Sequence, residues 1–157
     1  MDDTTKSIID KITVHYDKPT AIPGGYTARV YYDCIRLSPN DLARLAAQAT
    51  GHLGEGAFDV AVGIAYSGIL FASAVAGGRN VAILQLDGET CGPSLKGKEA
   101  VIVDDVVFTG RRIVEAEKKI IQMGARVIGY ACIVDRSGGK FGSQEKPLWS
   151  AYQTEMN

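Results

Sequence analysis

Apolar residues along this chain change their spacing twice. Near the N-terminus Ile8, Ile9 and Ile12 recur at helical intervals, which predicts a short amphipathic helix over residues 4–12. Pro19, Pro23, Gly24 and Gly25 punctuate the stretch that follows. Tyr26 to Leu37 is rich in β-formers, with Val30, Tyr31, Tyr32 and Ile35, and reads as a strand or a hairpin arm. Ser38-Pro39-Asn40-Asp41 is a helix start: Ser38 suits the N-cap, Pro39 the first turn, and Asp41 the positive end of the helix dipole. That helix carries Leu42, Leu45, Ala46 and Ala49 and ends at Gly51.

From residue 59 onward the pattern becomes regular. Asp59 to Ala65, Asn80 to Leu86, Glu99 to Val103 and Arg126 to Val134 are near-continuously apolar and read as buried strands. Between them lie a small-residue helix from Gly68 to Ala76 and an amphipathic one from Gly110 to Met123, with Gly124 after its end. Strands alternating with helices imply an α/β fold in which a Rossmann-like parallel β-sheet is flanked by helices on both faces. No repeat, low-complexity tract or linker divides the chain, so residues 1–157 are expected to form one domain. The polar tail from Gly138 is expected to pack against a sheet edge.

In such folds ligands bind beyond the carboxyl ends of the strands. Three segments fall there: Ala65-Tyr66-Ser67-Gly68, Asp104 to Arg112, and Asp135-Arg136-Ser137. The loop 87–97 lies at the same end and has the length and glycines of a mobile lid. The stretch 101–112, Val-Ile-Val-Asp-Asp-Val-Val-Phe-Thr-Gly-Arg-Arg, carries the strongest chemistry. Adjacent like charges at a strand end are unfavourable unless a cation or a hydroxyl-rich ligand relieves them. Asp104 and Asp105 suit sugar hydroxyls or Mg²⁺. Backbone N–H groups of Thr109, Gly110 and Arg111 can cradle a phosphate at the start of a helix. A lone Asp is as often structural as functional, the Ser-Gly of the first turn is more often structural, and Tyr31, Tyr32 and Phe108 are expected to be packing residues.

Composition narrows the classes. Hydrophobic residues make up 46% and charged residues 22%, as in ordinary globular proteins, and the net charge of −1 argues against nucleic acid as a partner. No apolar run is long enough to span a membrane, and the acidic start Met1-Asp2-Asp3-Thr4 does not read as a signal peptide. Cys34, Cys91 and Cys132 form no Cys-x-x-Cys pair, which points to reduced thiols and a cytoplasmic location. His15 and His52 lack metal-ligand spacing and are expected at the surface.

Taken together, Val101 to Arg112 resembles the signature of the type I phosphoribosyltransferases: an apolar strand, two acids, a few residues, then Thr-Gly. The rest is similar to the orotate branch. Gly63 to Ile69 resembles its pyrophosphate turn. Gly124-Ala125 through Val134-Asp135-Arg136 resembles its last core strand. Gly25-Tyr26-Thr27 and Tyr32 to Leu37 resemble its N-terminal hood. The similarity covers roughly residues 20–140. The resemblance implies a small N-terminal hood (roughly 13–37), a core (38–137) and a homodimer. It implies a substrate, phosphoribosyl pyrophosphate (PRPP) with Mg²⁺, whose ribosyl group passes to a nitrogenous base such as an orotate-like pyrimidine. By it, Asp104 and Asp105 are the catalytic acids that hold the ribose hydroxyls and Mg²⁺. Thr109, Gly110, Arg111 and Arg112 form the PRPP loop. Ala65, Tyr66, Ser67 and Gly68 meet pyrophosphate. Arg136 faces the base, with Arg29 in place of a lysine expected nearby.

The chain departs from that pattern chiefly in its cations. Ser67 stands where the family carries a lysine, Arg112 replaces a hydroxyl, and Gln85 to Leu95 holds two acids and no Lys, Arg or His. A missing cation at a desolvated phosphate site weakens transition-state stabilisation by several kcal/mol. This raises a second reading, a PRPP- or nucleotide-binding regulator without turnover. A receiver-like phospho-acceptor ranks lower, because its acid pair belongs after the first strand.

Overall fold

The structure is a computed structural model, and it describes residues 1–155. Helix α1 (Asp3–Ile12) is capped by the Asp2 carboxylate, which accepts from the Thr5 N–H. It buries Ile8, Ile9 and Ile12, the residues whose spacing predicts it. Strands β1 (Thr13–Ile22) and β2 (Tyr26–Tyr32) pair antiparallel as a separate two-stranded hood. Sequence patterning misses β1, because its register slips between His15 and Thr20, where Asp17, Lys18 and Pro19 interrupt the alternation. A short 3₁₀ turn (Cys34–Arg36) closes the hood, so the β-rich run ends sooner than Leu37. Helix α2 (Pro39–Thr50) has the full capping box: Ser38 Oγ accepts from the Asp41 N–H, and Asp41 accepts from the Ser38 N–H.

The core sheet is built from β3 (Val60–Ile64), β4 (Asn80–Leu84), β5 (Thr90–Cys91), β6 (Glu99–Val103), β7 (Val106–Val107), β8 (Arg126–Asp135) and β9 (Leu148–Gln153). Its order is β5-β4-β3-β6-β8, with β7 continuing β6 along one edge of β8 and β9 on the other. All pairs are parallel except β4 with β5. Helix α3 (Ile69–Ala76) links β3 to β4, and α4 (Arg111–Gln122) links β7 to β8.

Alternation along β6 divides the core into two layers. Val101 and Val103 face α1, α2 and α3, packing with Leu45, Phe71 and Ile133. Ala100 and Ile102 face α4, packing with Ile113, Ala116 and Ile120. Burying each large aliphatic side chain contributes roughly 1.5–3 kcal/mol before entropy is counted. The sheet runs past Asp135: Ala131 pairs with Trp149 and Val134 with Tyr152, so the tail supplies a full edge strand.

The 87–97 segment is not the free lid expected from its glycines. Thr90 and Cys91 pair with Leu84 and Ile83, Leu95 is buried, and Gly92 lies against the backbone of Val81 and Ala82. A five-residue turn joins β4 to β5, with the Gln85 N–H donating to the Glu89 carbonyl. The segment is a hairpin seated on the sheet edge, and β4 ends at Leu84 because this turn begins there.

Candidate functional site

The carboxyl ends of β3, β6 and β8 place the predicted segments side by side. After β3 the chain turns through Ala65-Tyr66-Ser67, with the Gly68 N–H donating to the Ile64 carbonyl. A side chain at Gly68 would put its Cβ 2.4 Å from the Val103 carbonyl, so only glycine lets this turn sit against the end of β6. Between β6 and β7 the ladder breaks at Asp104-Asp105. The Asp104 N–H still donates to Ala131, and the Asp105 carbonyl accepts from Ile133 and Val134, so the break is fixed on both sides.

Asp104 is 1% exposed. Its Oδ1 accepts from the Ser67 hydroxyl at 3.2 Å and from the Asp105 N–H at 2.9 Å. Burial, and then the charge of Asp105, push its pKa up to about 7; Arg112 opposes the shift. Asp105 is half-buried, and its Oδ1 accepts from its neighbour Val106 N–H at 2.7 Å. The second acid therefore points along its own backbone while the first is held by the β3 turn.

Beyond β7 the loop Phe108-Thr109-Gly110 leads into α4. Gly110 is the N-cap at φ 81°, where a left-handed backbone aims the helix N–H groups outward. Thr109 Oγ1 accepts from the Arg111 N–H at 3.3 Å. Arg112 does not extend along this loop. Its Nη2 donates to the Ala65 carbonyl at 3.3 Å, and its Nη1 lies 3.5 Å from both Ser67 Oγ and Asp104 Oδ2.

Across the cleft stands Arg136, 3% exposed. Its Nη1 donates to the Val30 carbonyl of the hood at 2.8 Å, and its guanidinium lies over the rings of Phe108 (4.8 Å) and Tyr32 (5.3 Å). Its buried Nε has no partner. Burial lowers its pKa from the usual arginine value. Tyr26 of the hood stacks on Phe108 with centroids 4.4 Å apart. These residues line a cavity of about 150 Å³ with Tyr31, Ser67, Asp104, Asp105, Thr109 to Arg112 and the Ile22–Gly24 turn. A second cavity of about 420 Å³ adjoins it; Tyr31, Ser67 and Asp105 line both, and Tyr66 lines the second.

The fold thus brings together Asp104, Asp105, Ser67, Thr109, Gly110, Arg111, Arg112 and Arg136. Ala65 and Gly68 shape the turn through their backbones, and Tyr66 is exposed beside the second cavity. Arg29 does not join them. Strand alternation turns Ala28 and Val30 inward and Arg29 to solvent, where its Nη1 donates to the Asp17 carbonyl. Tyr31, Tyr32 and Phe108, expected only to pack, line the cavity. Sequence reading also misses Tyr26 and Phe141 here, and it places Ser137 at this end without giving it a task. Ser137 Oγ donates to Asp135 and accepts from the Lys140 and Phe141 N–H groups, which sets the Phe141 ring against Gly110. Among the described residues no group of three or more His, Cys, Asp or Glu side chains forms a resident metal cage.

The chain is similar to known proteins in sequence and in fold. Residues 77–149 match the family model of the phosphoribosyl transferase domain. A stretch of 45 residues is 51% identical to the orotate phosphoribosyltransferase of Bartonella henselae, covering 29% of this chain and 23% of that enzyme. Over 130 residues the chain is 25% identical to the orotate phosphoribosyltransferase of Chlorobium phaeobacteroides, covering 76% of this chain and 66% of that enzyme. The matches thus span less than two thirds of these relatives' length. Among solved structures, Mycobacterium tuberculosis orotate phosphoribosyltransferase in complex with PRPP superposes with a TM-score of 0.74 at 17% identity, covering 96% of this chain and 94% of the other.

Proposed function

We propose that this chain, which has the phosphoribosyltransferase fold and resembles the orotate phosphoribosyltransferases, binds PRPP and transfers its 5-phosphoribosyl group to a nitrogenous base, releasing pyrophosphate. One observation carries the reading. The acid pair at the end of β6 sits between a glycine-capped helix start and the β3 turn, within one cleft closed by a buried arginine.

Each part has a task in that reaction. The N–H groups at Thr109, Gly110 and Arg111 hold the 5′-phosphate at the positive end of α4. Asp104 and Asp105 accept hydrogen bonds from the ribose hydroxyls, and their charge favours the oxocarbenium character that develops at the anomeric carbon. The bond from that carbon to the diphosphate breaks with its electron pair leaving on pyrophosphate, while a base nitrogen donates its lone pair to form the new bond. Ser67 and the β3 turn face the leaving group. Arg136, Tyr26 and Phe108 form a slot for a planar base. Arg136 is a cation lining this slot and favours a base bearing an anionic oxygen, in keeping with an orotate-like pyrimidine as the acceptor.

Mg²⁺ fits this donor set. It binds through one or two carboxylates with phosphates and water completing its shell, so it would arrive with the diphosphate. Asp104 and Asp105 would hold it, and it would neutralise charge on the leaving group. The exposed apolar side chains of Ile35, Tyr66 and Leu70 beside the second cavity favour a homodimer. No helix among the described residues is long and apolar enough to cross a membrane, and the unpaired Cys34, Cys91 and Cys132 favour a reducing cytoplasm.

One observation keeps a second reading: the β4–β5 hairpin carries Asp87 and Glu89, no cation, and does not line the cavity. A PRPP-binding regulator would tolerate that absence. Pyrophosphate release from PRPP and Mg²⁺ with orotate and a panel of other bases tests the choice. Release with orotate supports transfer; tight PRPP binding with no release for any base supports the regulator.

A further inference from the structure

We infer that Arg112 is the diphosphate-binding cation of this cleft, reaching from the start of α4 to serve the β3 turn rather than the phosphate loop on which it lies in sequence. The inference rests on the reading of the cleft as a PRPP site and deepens it.

The geometry separates Arg112 from its sequence neighbours. Thr109 and Gly110 present backbone and hydroxyl at the helix start. Arg112 instead crosses to the opposite wall and touches three groups there: the Ala65 carbonyl, the Ser67 hydroxyl and the Asp104 carboxylate. All three contacts are long, between 3.3 and 3.5 Å. Contacts of that length are weak, so a ligand anion can re-aim the guanidinium at little cost. Its side chain is 46% exposed, and its planar fork of five N–H donors leaves several for a ligand.

Position and charge then decide the role. The cavity is lined by three cations, Arg111, Arg112 and Arg136. Arg136 is committed to the hood carbonyl and the two aromatic rings. Arg112 is the one whose guanidinium contacts the β3 turn, where Ser67 brings a hydroxyl but no charge. A leaving diphosphate concentrates negative charge there as the anomeric bond breaks, and a guanidinium matches two of its oxygens bidentately. Asp104 keeps the guanidinium on that wall and balances its charge until an anion arrives.

Calorimetric titrations with Mg²⁺ test this, using inorganic pyrophosphate and ribose 5-phosphate as separate probes. Arg112→Gln is expected to lose roughly tenfold or more in pyrophosphate affinity. Its ribose 5-phosphate affinity should stay within about twofold, which also reports an intact fold. Arg112→Lys should keep most of the pyrophosphate affinity. Ser67→Lys placed in the Arg112→Gln background should recover much of what was lost, because it returns a cation to the same wall. Equal losses for both probes, a loss confined to ribose 5-phosphate, or no loss would overturn the inference. So would a selective loss that neither lysine variant recovers, or a wild type that takes ribose 5-phosphate but not pyrophosphate. A wild type that binds neither ribose 5-phosphate nor PRPP would overturn the PRPP reading itself.

Discussion

The Ser67 hydroxyl donates to Asp104 Oδ1 at 3.2 Å, joining the turn after β3 to the end of β6 across 37 residues of sequence. This bond places the acid pair against the leaving-group wall. It also helps hold a carboxylate that is almost wholly removed from water. The resulting tension between burial and charge has measurable consequences.

The Asp104 pKa, raised by burial from 3.8 to about 7, sets a pH dependence. Its folded value exceeds its unfolded value, so protonation favours the fold. That stabilisation is complete below the unfolded value and is lost as pH rises through about 7. Asp104→Asn mimics the protonated acid. Without ligand it should melt higher than wild type at about pH 8 and not at about pH 4. Thermal melts across that window check the sign, and a more stable wild type at the alkaline end would contradict it. Affinity for PRPP with Mg²⁺ should rise over the same window, because only the ionised acid accepts from two hydroxyls or holds the metal.

Thr109→Val should weaken PRPP binding by ~1–2 kcal/mol through loss of one charge-assisted phosphate bond. The hydroxyl also accepts from the Arg111 N–H, so the variant loosens the loop it belongs to. Calorimetry with PRPP reads the change; unaltered affinity would mean that the backbone alone holds the phosphate.

Gly110→Ala should be more damaging than its size suggests. The backbone is left-handed there, and a Cβ would fall 2.1 Å from the Phe141 ring. The left-handed strain alone is worth about 1–3 kcal/mol. Adding Phe141→Ala should recover part of the melting temperature by removing the clash, not the strain. A single variant that melts and binds PRPP like wild type would show that this turn is not needed.

Arg136→Met keeps the length of the side chain and removes its charge. The KM for the base should rise roughly tenfold or more, while PRPP affinity changes less than about threefold. Steady-state kinetics with each substrate varied in turn separates the two. A loss confined to PRPP would place Arg136 on the wrong side of the cleft.

Much of this arrangement is legible in the chain because it depends on neighbours in sequence. Strands β3, β4, β6 and β8 are short apolar runs bounded by glycine or charge, and α2 announces itself through Ser38, Pro39 and Asp41. Asp104, Asp105, Thr109 and Gly110 lie within seven residues, so their chemistry is visible together. What escaped is set by distant contacts. The slip after His15 hides β1, and the half-exposed β9 reads as a polar tail until Trp149 and Ala151 find β8 and α2. The base slot forms only when Val30 meets Arg136, 106 residues later, and Tyr26 meets Phe108. The resemblance puts Arg29 in place of a lysine near the base, but the parity of β2 turns it to solvent. Arg112 shows the converse, since its place in sequence suggests one phosphate and its guanidinium reaches toward the other.

The most direct test of the PRPP site is a calorimetric titration of PRPP with Mg²⁺ into the wild type and into Asp104→Asn/Asp105→Asn, each first shown to be folded by its melting transition. Saturable binding by the wild type and its loss in the folded double variant is the predicted result. A wild type that binds no PRPP, or a double variant that binds it equally well, would contradict the account.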